Sequence, residues 1–319
     1  MIYNKTGKWG LKLPAVSLGL WHNFGSEDSF DNARKVLRHA FDRGITHFDL
    51  ANNYGPIYGS AEETLGKVLR SDLYGHRDEL VLSTKAGYDM WPGPYGNGGS
   101  RKYLISSLDQ SLRRIGVEYV DIFYHHRPDP ETPIEESMMA LDQIVRSGKA
   151  LYVGISNYHP QEAREAMQIL KELGTPCLIH QAKYNMFERW VETEGLLETL
   201  EEYGVGLIAY SPLAQGLLTD RYINGIPEGS RITHSKFLTE AALNEKIETI
   251  KALNDFAGKE LGMTLSELAL RWILRDERVT SVLVGASSIE QLEKNMAIAY
   301  NYKLSADAIS KIDEILAKN

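Results

Sequence analysis

Eight short runs of β-forming, mostly apolar residues recur along the chain, at 16–21, 45–51, 80–87, 120–126, 151–156, 177–184, 205–210 and 280–285. Between them lie segments with helical spacing: Ala33, Val36, Leu37, Ala40 and Phe41 share one face, and Ile105, Leu108, Leu112 and Ile115 share another. The runs "VGLIAY" and "TSVLVG" are almost continuously apolar. Such runs suit parallel strands covered by helices on one side and by a filled interior on the other. Strand and helix alternating eight times predict an α/β fold, a (β/α)8 TIM barrel. At 319 residues the chain has the length of one such barrel, and no linker, repeat or low-complexity tract divides it, so residues 1–319 are read as a single domain.

Residues 1–14 are expected to form a hairpin that closes the barrel floor, and the face of Ile309, Ile312 and Leu316 predicts an extra C-terminal helix. Two connections exceed what a barrel needs. Residues 87–100, "GYDMWPGPYGNGGS", hold five glycines and two prolines before a helix started by Ser100, and residues 211–242 form the other. Both follow the C-terminal end of a strand, where barrels of this kind build their sites, so both are read as extended mouth loops.

Charge narrows the partners. With 43 acidic against 35 basic side chains the formal charge is −8, which offers no general attraction to a phosphate backbone, and nucleic acid is not expected. The lone cysteine, Cys177, cannot form an internal disulfide. The opening Met1-Ile2-Tyr3-Asn4-Lys5 lacks a basic-then-apolar signal pattern, and no apolar run approaches the roughly 18 residues of a membrane span. A cytoplasmic protein with no membrane partner is the expectation.

Polar residues at the ends of the second, third and fourth strands carry the chemistry: Asp49 and Tyr54 in "FDLANNYG", Lys85 in "LSTKAG" and His126 in "DIFYHHRPD". All point to one rim. An isolated buried ion is costly, so Asp49 and Lys85 are expected to pair. A lysine beside Tyr54 would lower the phenol's pKa and ready it to donate a proton, while His126 would hold the oxygen that receives it. Taken singly, Asp49 also suits a loop cap, Lys85 a solvated strand end, and His126 a satisfied core histidine. Lys85 would equally suit a Schiff-base aldolase, which has no need of Asp49 and Tyr54.

The ordered motifs "GITHFDLANNYG", "GSAEETLG", "STKAG", "YVDIFYHHRPD", "GKALYVGISNY", "IHQAKYN", "AYSPLAQGLLT" and "SVLVGASSIEQLEKN" span nearly the whole chain. Together they resemble the aldo-keto reductases. The resemblance implies that Asp49, Tyr54, Lys85 and His126 are the catalytic tetrad. His126 is preferred to His125 because it stands five residues after Asp121 and just before Arg127-Pro128. Within the family, "VSLGLWHNFG", "SRKYL" and the first mouth loop look closest to the L-glyceraldehyde 3-phosphate reductases, cousins of the potassium-channel β subunits. That branch implies NADPH-dependent reduction of small aldehydes, a triose phosphate and methylglyoxal among them. The alternative is a nicotinamide-binding regulatory subunit, from which His126, where channel subunits carry asparagine, distinguishes this chain.

No G-x-G-x-x-G follows a strand, so NADP would lie across the barrel mouth as in that family. Carried over by position, Ser156, Asn157 and Gln181 would hold the carboxamide and Tyr210 would stack on the nicotinamide, with Trp21 and Asp49 beside it. Ser211, Pro212, Leu213 and Gln215 match the pyrophosphate loop. Arg221 and Arg231 match two phosphate-clasping basic residues, and Gly285, Ser287, Gln291, Lys294 and Asn295 match the adenosine end. Gln291 stands where many members carry an arginine for the 2′-phosphate, and Lys294 is expected to compensate. Trp21, His22, Trp91 and Tyr95, with Tyr54 and His126, would wall the substrate site, and Arg101 and Lys102 would reach a substrate phosphate. No metal enters this reading, and the branch allows a homo-oligomer.

Overall fold

The computed structural model describes residues 1–223, 225–226, 232 and 239–318. A hairpin opens the chain, β1 (Tyr3–Lys5) against β2 (Lys12–Pro14), with Asn4 opposite Leu13. Then come β3 (Val16–Gly19), α1 (Phe30–Asp42), β4 (His47–Asp49), α2 (Ser60–Ser71), β5 (Val81–Ala86) and α3 (Arg101–Ile115). They are followed by β6 (Val120–His125), α4 (Ile134–Arg146), β7 (Ala150–Ser156), α5 (Pro160–Glu172) and β8 (Ile179–Lys183). Two short helices, α6 (Trp190–Thr193) and α7 (Leu196–Tyr203), lead to β9 (Gly206–Tyr210). The last elements are α8 (Glu240–Glu260), α9 (Leu265–Ile273), β10 (Val279–Val284), α10 (Ile289–Asn295) and α11 (Ala306–Leu316).

Among the described residues, β3 to β10 pair in parallel around a closed ring in which β10 returns to β3. All eight expected strands are present, and the barrel is the expected one. Alternation along each strand sorts side chains between two cores. Val81, Ile122, Tyr124, Ile179, Ile208 and Leu283 fill the interior, with Leu13 of the hairpin packed among them from the floor. The larger core lies between strands and helices, where α1 buries Ala33, Val36, Leu37 and Ala40 and α3 buries Leu108, Leu112 and Ile115.

Two strands depart from the simple alternation, β8 with α6 and α7 behind it, and β9. β9 is followed by both α8 and α9, and α9 completes the helical ring with Leu265, Leu268, Ala269, Trp272 and Ile273 buried. The C-terminal helix α11 packs on α8, through Ala308, Ile312 and Ile315. Ile309 and Leu316, expected on one face with Ile312, flank it half-buried. Ser100 starts α3 as expected, its hydroxyl accepting the Tyr103 N–H.

Candidate active site

Strand period places His47 and Asp49 of β4, and Ser83 and Lys85 of β5, on the interior, while Phe48 and Leu82 face the helices. Lys85 is fully buried. Its Nζ donates to Asp49 Oδ2 at 2.5 Å and to the Leu50 carbonyl at 2.5 Å. The expected ion pair is therefore formed. Burial lowers the Lys85 pKa, and the negative charges of Asp49 and then Glu62 work against that loss. The other Asp49 oxygen accepts from Ser83 Oγ at 2.6 Å and from Gln181 Nε2 at 3.2 Å.

Tyr54 stands above this pair, its ring centroid 5.0 Å from Lys85 Nζ and 6.0 Å from the His126 ring. The phenol's pKa is not lowered on balance, against the expectation drawn from Lys85. Burial, then the Asp49 carboxylate, then Tyr210 and Tyr88, raise it well above 10.0. The physical reason is that the Lys85 ammonium is bonded to Asp49 and Leu50, so a phenolate on this half-buried ring would face the Asp49 carboxylate as well as the ammonium. Tyr54 is held as the protonated acid.

His125 and His126 turn to opposite sides, as strand alternation requires. His125 Nδ1 lies 2.6 Å from the Tyr158 hydroxyl, outside the barrel wall. His126 lies beside Tyr54, with Tyr88 edge-on at 4.7 Å. Gly87 permits this approach, because a Cβ there would fall 2.9 Å from His126 Cβ. Burial, followed by the positive charge of Lys85 and by the neighbouring His125 and Arg127, pulls the His126 pKa well below 6.5, so the ring is neutral at physiological pH. Its Nδ1 is buried without a hydrogen-bond partner among the described residues.

The ends of β7, β8 and β9 bring Ser156, Asn157, Gln181 and Tyr210 to the same rim. Asn157, at φ 61°, donates to the His126 carbonyl at 3.0 Å and to Ser156 Oγ at 3.2 Å, and its Oδ1 accepts the Tyr210 hydroxyl at 2.9 Å. The Asn157 amide, expected to hold a carboxamide, is thus tied to protein at both ends, and it fixes His126 to Tyr210. After β9, Ser211 (φ 51°), Ala214 (φ 46°) and Gln215 (φ 58°) all adopt left-handed backbone around Pro212 and Leu213. Each such residue costs about 1–3 kcal/mol, and strain of this kind collects at ligand clamps. Gln215 Oε1 is also buried without a partner among the described residues. A strained loop with an unsatisfied buried acceptor, next to a tyrosine anchored by its hydroxyl, fits a dinucleotide laid across the mouth.

The residues expected at the adenosine end are mostly engaged with one another. Ser287 donates through N–H and Oγ to Gln291 Oε1, both at 2.9 Å, and Asn295 Nδ2 reaches the Gly285 carbonyl at 3.4 Å. Gly285 faces open space. Lys294 pairs with Glu290 at 2.9 Å on the surface. Arg221 is exposed, and Arg231 lies outside the described residues.

At the mouth, Trp21 lies 4.3 Å from His22 and 6.3 Å from Tyr54, Trp91 packs on Tyr103, and Lys102 Nζ is 5.2 Å from the Tyr95 ring centroid. Arg101 goes elsewhere. Its N–H binds Glu136 Oε1 at 3.0 Å and its guanidinium binds Gln143 Oε1 at 2.8 Å, both on α4, so it bridges two helices outside the barrel. A second basic residue at this rim, beside Lys102, is Arg127, which the sequence reading passed over. It donates to the Gly87 carbonyl at 2.9 Å and to Asn97 Oδ1 at 3.0 Å, and stands 4.9 Å above the Tyr88 ring. Its position directly after His126 was the available signal.

Residues 15–317 match the Aldo/keto reductase family. The chain is 56% identical to L-glyceraldehyde 3-phosphate reductase of Escherichia coli O157:H7, over 99% of this chain and 93% of that one. It is 35% identical to a probable voltage-gated potassium channel subunit beta of Arabidopsis thaliana, over 99% of this chain and 97% of that one. Among solved structures, a thermostable aldo-keto reductase in complex with the inhibitor epalrestat superposes with a TM-score of 0.78 at 30% identity, over 99% of this chain and 100% of the other.

Proposed function

Because the chain belongs to the aldo/keto reductase family, we propose that it reduces small aldehydes with NADPH, L-glyceraldehyde 3-phosphate and methylglyoxal among them, with Tyr54 as the proton donor. The observation that carries this reading is the buried Asp49–Lys85 pair lying beneath a protonated Tyr54 and beside a neutral His126. When bound, the nicotinamide supplies the hydride. The substrate oxygen, made basic as the carbonyl is reduced, takes the Tyr54 hydroxyl proton. The Lys85 ammonium, 5.0 Å from the Tyr54 ring centroid and shared with Asp49, offsets part of the charge on the phenolate left behind. Neutral His126 holds the same oxygen by a hydrogen bond and so orients the carbonyl. Tyr210, fixed by Asn157, offers its ring to the nicotinamide, and the Ser211–Gln215 loop takes the pyrophosphate. Arg221 and Lys294 are the described cations we assign to the 2′-phosphate, and Arg231, outside the described residues, is part of the same assignment. For a triose phosphate, Arg127 and Lys102 are the basic side chains at the mouth.

We place the protein in the cytoplasm as one domain, in keeping with a free buried cysteine and with the finding that no helix among the described residues is long and apolar enough to cross a membrane. A second reading, a nicotinamide-binding regulatory subunit, draws support from the likeness to the plant channel subunit. Multiple turnovers separate the two. Enzyme with excess NADPH should lose 340 nm absorbance steadily with methylglyoxal and with glyceraldehyde 3-phosphate. A trace no steeper than background with both would overturn the reductase reading. Fluorescence titration should show NADPH binding more tightly than NADH, and equal dissociation constants would remove the cofactor assignment.

A further inference from the structure

Beneath the four site residues runs a line of buried polar side chains for which the reaction described above has no task. Asp49 Oδ1 accepts from Ser83 Oγ at 2.6 Å, and Ser83 Oγ lies 2.9 Å from His47 Nε2. His47 Nδ1 lies 2.9 Å from Ser17 Oγ, which lies 2.7 Å from Ser281 Oγ. Ser281 Oγ in turn reaches the Pro14 carbonyl at 2.7 Å. Ser17, His47, Ser83 and Ser281 are wholly buried, so bulk solvent does not reach them and their hydrogen bonds are made with one another and with the neighbouring carbonyl and carboxylate.

The hydrogens available set the order. Asp49, paired with Lys85, is a carboxylate and only accepts. The single hydroxyl hydrogen of Ser83 therefore goes to Asp49, and Ser83 Oγ must accept from His47, which puts the imidazole hydrogen on Nε2. Burial, opposed by Asp49 and aided by Lys85, keeps His47 neutral, so Nδ1 has no hydrogen and accepts from Ser17. Ser17 accepts from Ser281, which shares its one hydrogen between Ser17 and the Pro14 carbonyl. The opposite tautomer would set Ser83 and Nε2 facing each other as acceptors, unless Ser83 turned its hydrogen away from Asp49. Asp49 Oδ1 would then keep only the longer bond from Gln181, at 3.2 Å.

We propose that His47 is a positioning residue for the candidate tetrad: its Nε2 hydrogen turns the Ser83 hydroxyl onto Asp49 Oδ1, which leaves Oδ2 to hold the Lys85 ammonium beneath Tyr54. The proposal rests on the reductase reading of that tetrad. His47→Met fills the space without a donor, Ser83→Ala removes the link itself, and His47→Gln returns an N–H donor close to the place of Nε2. With methylglyoxal, His47→Met and Ser83→Ala should each lose roughly tenfold to hundredfold in kcat, the rate equivalent of one hydrogen bond to a charged group, with the KM for NADPH unchanged. His47→Gln should recover most of the loss, and Ser83→Ala added to His47→Met should cost nothing more. Full kcat in His47→Met, a His47→Gln no faster than His47→Met, or additive losses would each overturn the proposal. If the His47 variants do not fold, Ser83→Ala and the ¹⁵N spectrum of the wild-type imidazoles decide it. A proton on Nε2 of His47 supports the order above, and a proton on Nδ1 refutes it. Wild-type protein that turns over no aldehyde would sink the reductase reading, whereas the hydrogen order is read from the spectrum alone.

Discussion

Tyr54 shows how a single charge pair sets the state of its neighbour. Since burial and the Asp49 carboxylate raise its pKa well above 10.0, the proton it donates is present at every pH below that value, and aldehyde reduction should show no alkaline loss from Tyr54 ionisation up to pH 10. A kcat profile falling with an apparent pKa near neutrality would assign that loss to another group. Tyr54→Phe removes the acid and little else, so turnover should vanish while NADPH affinity, read by fluorescence quenching, stays at the wild-type value. Retained kcat would move the donor's role to His126. At the mouth, Arg101→Ala should leave the KM for glyceraldehyde 3-phosphate unchanged, because the guanidinium is engaged with Gln143 on α4. Arg127→Gln should raise it roughly tenfold while changing the KM for uncharged methylglyoxal little, the share expected of one charge-assisted contact. Equal effects on both substrates would mean that Arg127 only braces Gly87 and Asn97.

Elements are held to the barrel by buried polar ties as well as by apolar faces. Glu62 of α2 is fully buried, accepting from Thr84 Oγ1 of β5 at 2.6 Å and from Arg114 Nε of α3 at 2.7 Å. One carboxylate thus joins two helices to the outer face of the strand whose inner face carries Lys85. Replacing it by leucine keeps the volume but strands the Thr84 hydroxyl and leaves Arg114 only its longer bonds to Gln110 and Ser111, and breaking a buried pair from one side costs about 3–5 kcal/mol. Urea unfolding of Glu62→Leu should show a loss of that order, and a change under about 1 kcal/mol would mean that water reaches Arg114. The close fit inside the wall has a second marker. A Cβ on Gly154 of β7 would fall 2.6 Å from the Tyr124 ring, which itself lies 5.7 Å from Lys85 Nζ, so strand β7 needs glycine there to let that ring sit under the ion pair.

For the molecule as a whole, buried histidines set the acid limit. His47, His125 and His180 are each pushed by burial from 6.5 down to about 4. Between those values the unfolded chain binds protons that the fold refuses, so stability falls as the pH drops through this window and levels off below it. Each histidine contributes about 1.4 kcal/mol per pH unit there. The urea midpoint should therefore drop steeply from pH 6.5 toward pH 4, and His180→Gln, which keeps the bond to the Tyr158 carbonyl, should make the slope shallower by about one proton. An unchanged slope would place the acid sensitivity in the carboxylates. Much of this architecture could be read without coordinates, because strand and helix periodicity is local: alternation alone puts His47 with Asp49 and Ser83 with Lys85 on one face, and separates His125 from His126. The names of the four site residues came from ordered motifs, whose spacing records a shared fold. Partner choice was not local. That Arg101 turns to α4, that Arg127 stands over Tyr88, and that Ser17 meets Ser281, 264 residues away, depend on which surfaces the closed ring brings together. The protonated state of Tyr54 was hidden for the same reason: the Asp49–Lys85 pair was expected, but that burial and the Asp49 carboxylate outweigh the lysine at the phenol depends on where the closed barrel sets the ring.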